Sequence, residues 1–305
     1  MTLFVLHPVA QDDYICTTDT LELFDELRKQ GCRVFSEDDD LDSLGQTICA
    51  TDVLMVHITA RSDRAINLLS NFNGKKALFT IDESKSDGVL FRTQMELCEK
   101  IGCKSIVLSY PSIRNKAFLA ARGYTPVWFL PSTTVRERVG KTHDILISGQ
   151  LDHSYYPTRT RLAHLIQQNA ERFGWSVTSL PHPGFSRSRA THPYHGEAYK
   201  ELLDRHRFAI ACKAGWRDRL VAKFVEAGAS WCLPIGDRPS YMNDGMSMSM
   251  LNVDVMSDET ILHSIDHVLK HELEDRICEY VETLRQRHDL SRNVAQLIES
   301  LTKDV

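Results

Sequence analysis

The chain has 305 residues, of which 42% are hydrophobic and 25% charged, ordinary globular values that exclude a disordered, collagen-like or membrane-embedded polypeptide. Against roughly 100 to 200 residues for a usual domain, the length points to two domains, each large enough to bury its own core. Net charge is −5; residues 1–138 carry 16 Lys and Arg against 19 Asp and Glu, residues 139–305 carry 20 against 22, so neither half has the basic excess of a nucleic-acid-binding domain.

In chain order, LFVLHP opens as a strand from Leu3, and Leu21, Phe24 and Leu27 then recur at helical spacing until Gly31 closes the helix. The acidic run EDDDLD (37–42) has the composition of a solvated loop, with metal binding the weaker alternative. VLMVHI (53–58), KALFTI (76–81), SIVLSY (105–110) and PVWFLP (126–131) read as buried strands separated by the helical segments Arg61–Ser70, Arg92–Lys100 and Ile113–Arg122. Strands alternating with helices imply a parallel, doubly wound α/β sheet.

The polar stretch STTVRERVGKTH (132–143) then separates PVWFLP from a fresh apolar run, which sets the expected domains at 1–138 and 139–305. The second half repeats the pattern: strand 144–148, helix Thr158–Phe173, strand Ser176–Leu180, helix Glu197–Arg205, strand Phe208–Cys212, helix Arg219–Ala227 and strand Trp231–Ile235. Long helices after Ser257 complete the second domain in this reading. No apolar run approaches the roughly 20 residues of a bilayer span, and the start lacks a signal-peptide pattern, so a cytoplasmic location is expected. The eight cysteines form no C-x-x-C pair and read as reduced, mostly buried thiols.

Sheets of this kind bind ligands beyond the carboxyl ends of their strands. The most informative stretch is residues 214–239, which runs from a strand through Gly215 into a helix whose first turns hold Arg217, Arg219 and Lys223. Cations beside the unpaired N–H groups of a helix start make an anion site, and a diphosphate is the expected guest. Asp218 and Glu226 lie about two turns apart, one at the expected helix entrance and one near its end, so their roles differ. A carboxylate such as Glu226 can accept hydrogen bonds from both hydroxyls of a ribose. The plain alternative is an amphipathic helix with a capping Asp and solvated basic residues.

The stretch RDRLVAKFVEAGASWCLP resembles the donor-binding helix and strand of glycosyltransferases with two Rossmann-like domains, the B-type fold, particularly the spore-maturation-type and group-1 enzymes. DILISGQLDHSYYPTRTRL (144–162) is similar to that family's second-domain opening, and GYTPVWFLPSTT (123–134) to its last first-domain strand. The resemblance implies a glycosyltransferase that needs no metal or other cofactor. Its donor, a nucleoside diphosphate sugar, would lie in the C-terminal domain and its acceptor would be a glycan or another hydroxyl compound. Many retaining members carry two glutamates with seven residues between them, whereas the first acid here is Asp218.

Further donor contacts are expected from Gly149, which either lets the backbone approach a phosphate or simply turns the chain, and from Tyr155, Tyr156 and Arg159. Asp82 and Glu83, directly after a strand, are candidates for the acceptor base, with a solvated turn as the alternative. His57, also near a strand end, is a cleft candidate or a core histidine. His263, His267 and His271 form a helical stripe that invites a metal reading but has no open site beside it. His182, Arg187 and Arg189 sit in a long polar segment that is read either as a cover for the donor or as surface. Two other functions stay open: a non-catalytic nucleotide-sugar or glycan-binding module, and a glycosyltransferase acting on modified DNA, which the acidic halves disfavour.

Overall fold

The computed structural model describes residues 1–7, 18–57, 60, 62–80, 89–109, 113–180, 197–213, 220–239, 242 and 245–303. The chain divides into two compact units, the first made of Met1–Gln11, Thr20–Leu130 and Leu290–Val305, the second of Asp12–Asp19 and Pro131–Asp289.

In the first unit, strands β1 (Leu3–His7), β2 (Arg33–Ser36), β3 (Val53–His57), β4 (Lys75–Thr80), β5 (Ser105–Leu108) and β6 (Thr125–Trp128) form one parallel sheet in the order β2-β1-β3-β4-β5-β6. Helices α1 (Thr18–Lys29), α2 (Leu41–Thr47), α3 (Asp63–Asn71), α4 (Val89–Ile101) and α5 (Ile113–Ala120) connect the strands. Successive side chains of a strand point to opposite faces, and both faces are apolar here. Phe4, Leu6, Leu54, Val56, Leu78, Ile106 and Leu108 lie on one side. Leu3, Val5, Val53, Met55, Ala77, Phe79 and Val107 lie on the other. Such double burial explains why these strands read as unbroken apolar runs rather than as alternating ones.

Part of EDDDLD departs from the loop reading, because Asp40 caps α2 by accepting a hydrogen bond from the Ser43 N–H at 3.1 Å. Glu37 and Asp39 likewise accept backbone N–H bonds, from Ser62 at 2.6 Å and Ser36 at 2.7 Å. These carboxylates organise a turn and a helix start.

The second unit has a parallel sheet in the order β11-β10-β9-β7-β8, built from β7 (His143–Ile147), β8 (Val177–Ser179), β9 (His206–Ile210), β10 (Leu233–Gly236) and β11 (Leu251–Asn252). Its helices are α6 (Pro157–Phe173), α7 (Glu197–Asp204), α8 (Ala222–Ala229), α9 (Gly245–Ser249), α10 (Asp258–His271) and α11 (Leu273–Arg287). The main core joins Ile145, Ile147, Leu162, Phe208, Ile210, Phe224 and Tyr280. Helix α8 is pressed onto α11: the Tyr280 hydroxyl donates to the Phe224 carbonyl at 3.0 Å, and Gly228 leaves no room for a Cβ against the Tyr280 ring.

The terminal helices do not stay together. Helix α12 (Leu290–Thr302) belongs to the first unit, where Leu290, Val294, Leu297 and Leu301 pack with Leu23, Phe24, Leu27 and Val127. The sequence reading carried this helix with residues 139–305. Its apolar stripe shows that one face is buried, and the choice of sheet is a tertiary matter the stripe does not encode. The first unit closes at Leu130, before the polar connector.

Of the described cysteines, Cys32, Cys98, Cys103, Cys212 and Cys232 are buried, Cys49 and Cys278 are exposed, and all are free thiols. Among the described residues no helix is long and apolar enough to cross a membrane.

Candidate functional site

In the second sheet the strand order reverses between β7 and β9, the position where parallel α/β sheets open a crevice beyond their strand ends. Chain leaving β7 supplies Ser148 and Gly149, chain leaving β9 supplies Cys212 and Lys213, and chain leaving β10 supplies Asp237. Gly149 has φ +93°, a conformation that favours glycine. A Cβ there would sit 2.9 Å from Cε of Lys223 and 3.0 Å from Nη1 of Arg159, so the two basic side chains flank a bare backbone turn.

Arg159 enters from the first turn of α6, which begins with Pro157 after Tyr156. Its guanidinium stacks on the Tyr156 ring, 3.9 Å from the centroid, and only 3% of the residue is exposed. Two long bonds of 3.4 Å run to the carbonyls of Gln150 and Cys212, while the buried Nε has no partner. Burying a cation without an opposite charge costs several kcal/mol, and Arg159 forms no ion pair among the described residues. An anion placed at Gly149 would supply that missing charge.

Lys223 lies in the first turn of α8, whose N-cap residue Val221 provides no side-chain cap. Its ammonium donates to Ser148 Oγ at 3.0 Å and to Tyr199 OH at 2.9 Å. An ammonium carries three N–H donors, so one stays available. Ser148 and Tyr199 are themselves 2.9 Å apart, which closes a triangle around the lysine.

Glu226, one turn further along α8, is half-buried and has no hydrogen-bonding side-chain partner among the described residues. Burial pushes its carboxyl above the usual carboxylate range, against the opposing pull of Lys223 and Lys200. Asp237 ties the strand ends together: it accepts from the Thr158 hydroxyl at 3.0 Å and from the Lys213 N–H at 3.0 Å. Burial raises its carboxyl too, opposed by these hydrogen bonds and by Lys213.

The structure therefore brings Gly149, Tyr156, Arg159 and Lys223 into one cluster, with Glu226 on the same helix as Lys223. Helix α8 begins at Ala222, later than the Arg219 expected from the sequence, with Val221 still extended. Arg217, Asp218 and Arg219 lie outside the described residues, as do Asp82, Glu83, His182, Arg187 and Arg189. Tyr155 is half exposed and takes no part in the stack. His57 is 1% exposed, packed between Phe24 and Phe79 in the core of the first unit. His263 and His267 are exposed and paired with Glu259 and Glu272 at 3.0 Å; among the described residues no three metal-ligating His, Cys, Asp or Glu side chains cluster.

Ser148, Tyr199 and Asp237 were not singled out from the sequence. Ser148 and Asp237 have a readable signal in hindsight, since each directly follows a buried strand beside a glycine, ISG and IGD. Tyr199 sits in an amphipathic helix and carries no such mark.

No protein-family model matches the sequence, and no curated protein matches it. Solved structures do. An α-glucosyltransferase in complex with UDP and a 13-mer DNA containing a central A:G mismatch aligns over 99% of this chain and 100% of its own, with TM-score 0.69 and 13% identity. HepE of Anabaena in complex with UDP aligns over 99% and 100%, with TM-score 0.59 and 10% identity. A UDP-forming α,α-trehalose-phosphate synthase from Burkholderia vietnamiensis aligns over 99% and 99%, with TM-score 0.57 and 10% identity. At such identities the likeness shows the fold. The chain has the B-type glycosyltransferase fold of two Rossmann-like domains with parallel sheets.

Proposed function

We propose that the protein is a metal-independent glycosyltransferase that moves a sugar from a nucleoside diphosphate sugar, UDP-sugar first among candidates, to a hydroxyl acceptor. The observation that carries this reading is the buried, stacked and uncompensated Arg159 guanidinium, which shares the bare Gly149 turn with Lys223. A diphosphate seated there receives charge-assisted hydrogen bonds from both cations. UDP is favoured because the similar structures hold it.

In the reaction the bond between the sugar C1 and the β-phosphate oxygen breaks, and the acceptor oxygen bonds to C1. Negative charge grows on the leaving diphosphate, where Arg159 and Lys223 oppose it from fixed positions; such preorganised charge lowers the barrier because it needs no reorientation during the step. Glu226, as the carboxylate, accepts hydrogen bonds from the ribose hydroxyls. Arg217 and Arg219 add charge to the diphosphate, Asp218 orients the donor sugar, and Asp82 or Glu83 takes the acceptor proton. The donor is assigned to the second unit, which leaves the first for the acceptor.

For the acceptor, modified DNA bearing a base hydroxyl gains support from the fold shared with an α-glucosyltransferase bound to DNA. The net charge of −5 opposes it, since duplex binding draws on cations facing phosphates. Transfer assays with a hydroxyl-bearing duplex and with oligosaccharides, each at two salt concentrations, separate these acceptors.

A thermal-shift screen over UDP, GDP, ADP, CMP and dTDP tests the donor site; saturation at 100 times the dissociation constant stabilises by about 2.7 kcal/mol. A shift with UDP followed by UDP release from a UDP-sugar in the presence of acceptor is the expected result. No shift with any nucleotide removes the proposal. Binding without turnover for any acceptor leaves a nucleotide-sugar-binding module in its place.

A further inference from the structure

Helix α7 touches the proposed donor site at a residue that neither the resemblance nor the fold assigns. Tyr199 OH lies 2.9 Å from Lys223 Nζ, and the Tyr199 ring centroid lies 4.9 Å from the same nitrogen. The hydroxyl therefore fixes the ammonium from one side and the ring covers it. Ser148 Oγ is the second acceptor, on the chain leaving β7. The next residue, Lys200, is buried, and its charge acts on Glu226, so one turn of α7 addresses both proposed ligand-binding residues of α8.

Helix α7 is well placed to hold a position. Arg136 pairs with Glu197 at its start at 2.5 Å and with Asp204 at its end at 2.8 Å, so one guanidinium braces both ends. The Arg136 N–H in turn donates to the Ala229 carbonyl at 2.9 Å, which ties the same brace to the end of α8.

A lysine side chain has substantial rotamer entropy to lose when an anion fixes it. Restraining it beforehand lowers that cost, which is the general effect of preorganisation. With Ser148 and Tyr199 taking two of its three N–H bonds, the ammonium has one direction left. We propose that Tyr199 is a positioning residue of the donor site: its hydroxyl aims Lys223 at the diphosphate, and its ring keeps the ammonium from swinging into solvent. This rests on the donor assignment above, and Tyr199 itself need not touch the nucleotide.

The test is calorimetry with UDP, and competition with uridine, on the wild-type chain, Tyr199→Phe, Lys223→Met and the double variant. Phenylalanine keeps the ring and removes only the hydroxyl. Tyr199→Phe is expected to weaken UDP about 5- to 10-fold, the effect of one lost hydrogen bond, and to leave uridine unchanged. In the Lys223→Met background the same change is expected to have no effect, because it acts through the lysine; two residues without coupling would give additive losses. Ser148→Ala, which removes the other acceptor, is expected to weaken UDP comparably and serves if Tyr199→Phe folds poorly. Unchanged UDP affinity in a folded Tyr199→Phe variant overturns the inference, as does a loss that persists in the Lys223→Met background or extends equally to uridine. Wild-type protein that binds no nucleoside diphosphate overturns the donor assignment and this inference together, whereas wild-type binding with intact Tyr199→Phe affinity overturns this inference alone.

Discussion

The two units place very different residues at the same position of the same kind of sheet. In each, the strand order reverses beside the first strand of the unit, between β1 and β3 in one and between β7 and β9 in the other. In the first unit the described residues there are aromatic. The His7 ring stacks on Phe24 with centroids 4.6 Å apart, and Phe24, His57 and Phe79 continue at 5.8 Å steps. In the second unit the same position holds hydroxyls, a bare glycine turn, the Lys223 ammonium and an Arg159 guanidinium that forms no ion pair among the described residues. One arrangement is filled by its own packed rings. The other holds a buried guanidinium whose missing counter-charge an anion would supply, so the fold supplies a place and the side chains decide whether it binds anything.

The sharpest way to break this comparison is Arg159→Met. Methionine keeps much of the buried volume and removes the charge, so UDP affinity is expected to fall by about 100-fold or more, for the charge-assisted hydrogen bonds lost. Stability is expected to hold or rise, since a buried cation without a partner is removed. Calorimetry and a thermal melt on one preparation measure both. A clear drop in melting temperature with unchanged UDP binding would make Arg159 a structural residue.

Glu226→Gln gives a smaller effect, about 10-fold weaker binding of both UDP and uridine, because the proposed partner is the ribose. The pH dependence sharpens it. Burial raises the Glu226 carboxyl in the folded protein, so the folded state holds a proton where the unfolded chain has released it, and this group's contribution to stability falls as pH rises from the ordinary carboxylate range through the raised folded value. At neutral pH Glu226→Gln is therefore expected to be at least as stable as wild type. The carboxylate is the form that accepts from ribose, so wild-type UDP affinity is expected to decline as pH falls through the raised value. The Gln variant is expected to lack that decline. Titrations over a pH series read both.

The smallest effect belongs to the first unit. Burial, then the neighbouring His7, lowers His57 to about 3. An unfolded histidine near 6.5 binds a proton that the folded one refuses, so stability is lost as pH falls from about 6.5 towards 3. His57→Phe, measured by denaturant unfolding at several pH values, is expected to flatten that slope and leave UDP affinity unchanged. An equal loss of UDP affinity would end the contrast between the two strand-end regions.

Much of the fold can be read from the residues because a doubly covered parallel strand is one short apolar run. LFVLH, VLMVH and ALFT announce themselves, and the helices between them follow from spacing. Strand β2, RVFS, and helix α2, which starts in the acidic run, escaped because half-exposed edge elements lack that contrast. At the candidate site, Gly149, Arg159 and Lys223 could be named from sequence because glycine and cations at strand ends and helix starts have a recognisable chemistry. Their convergence, Asp237 joining Thr158 to Lys213, and the reach of Tyr199 from α7 depend on contacts across 24 to 79 positions of sequence. No periodicity encodes such contacts.

Helix α12 has a consequence for the order in which the molecule is finished. Its residues Leu290, Val294, Leu297 and Leu301 cover the apolar face formed by Leu3, Val5, Val53, Met55 and Val127, yet residues 131–289 of the second unit are made in between. Domains tend to fold as they leave the ribosome, and here the earlier one emerges with a core that its own first 130 residues do not complete. The part of that face packed by α12 stays exposed until residues 290–302 are made, with Leu23, Phe24 and Leu27 of α1 already on the same side, and a chain cut after residue 289 would retain Gly149, Arg159 and Lys223 while leaving the first sheet only partly covered on one side.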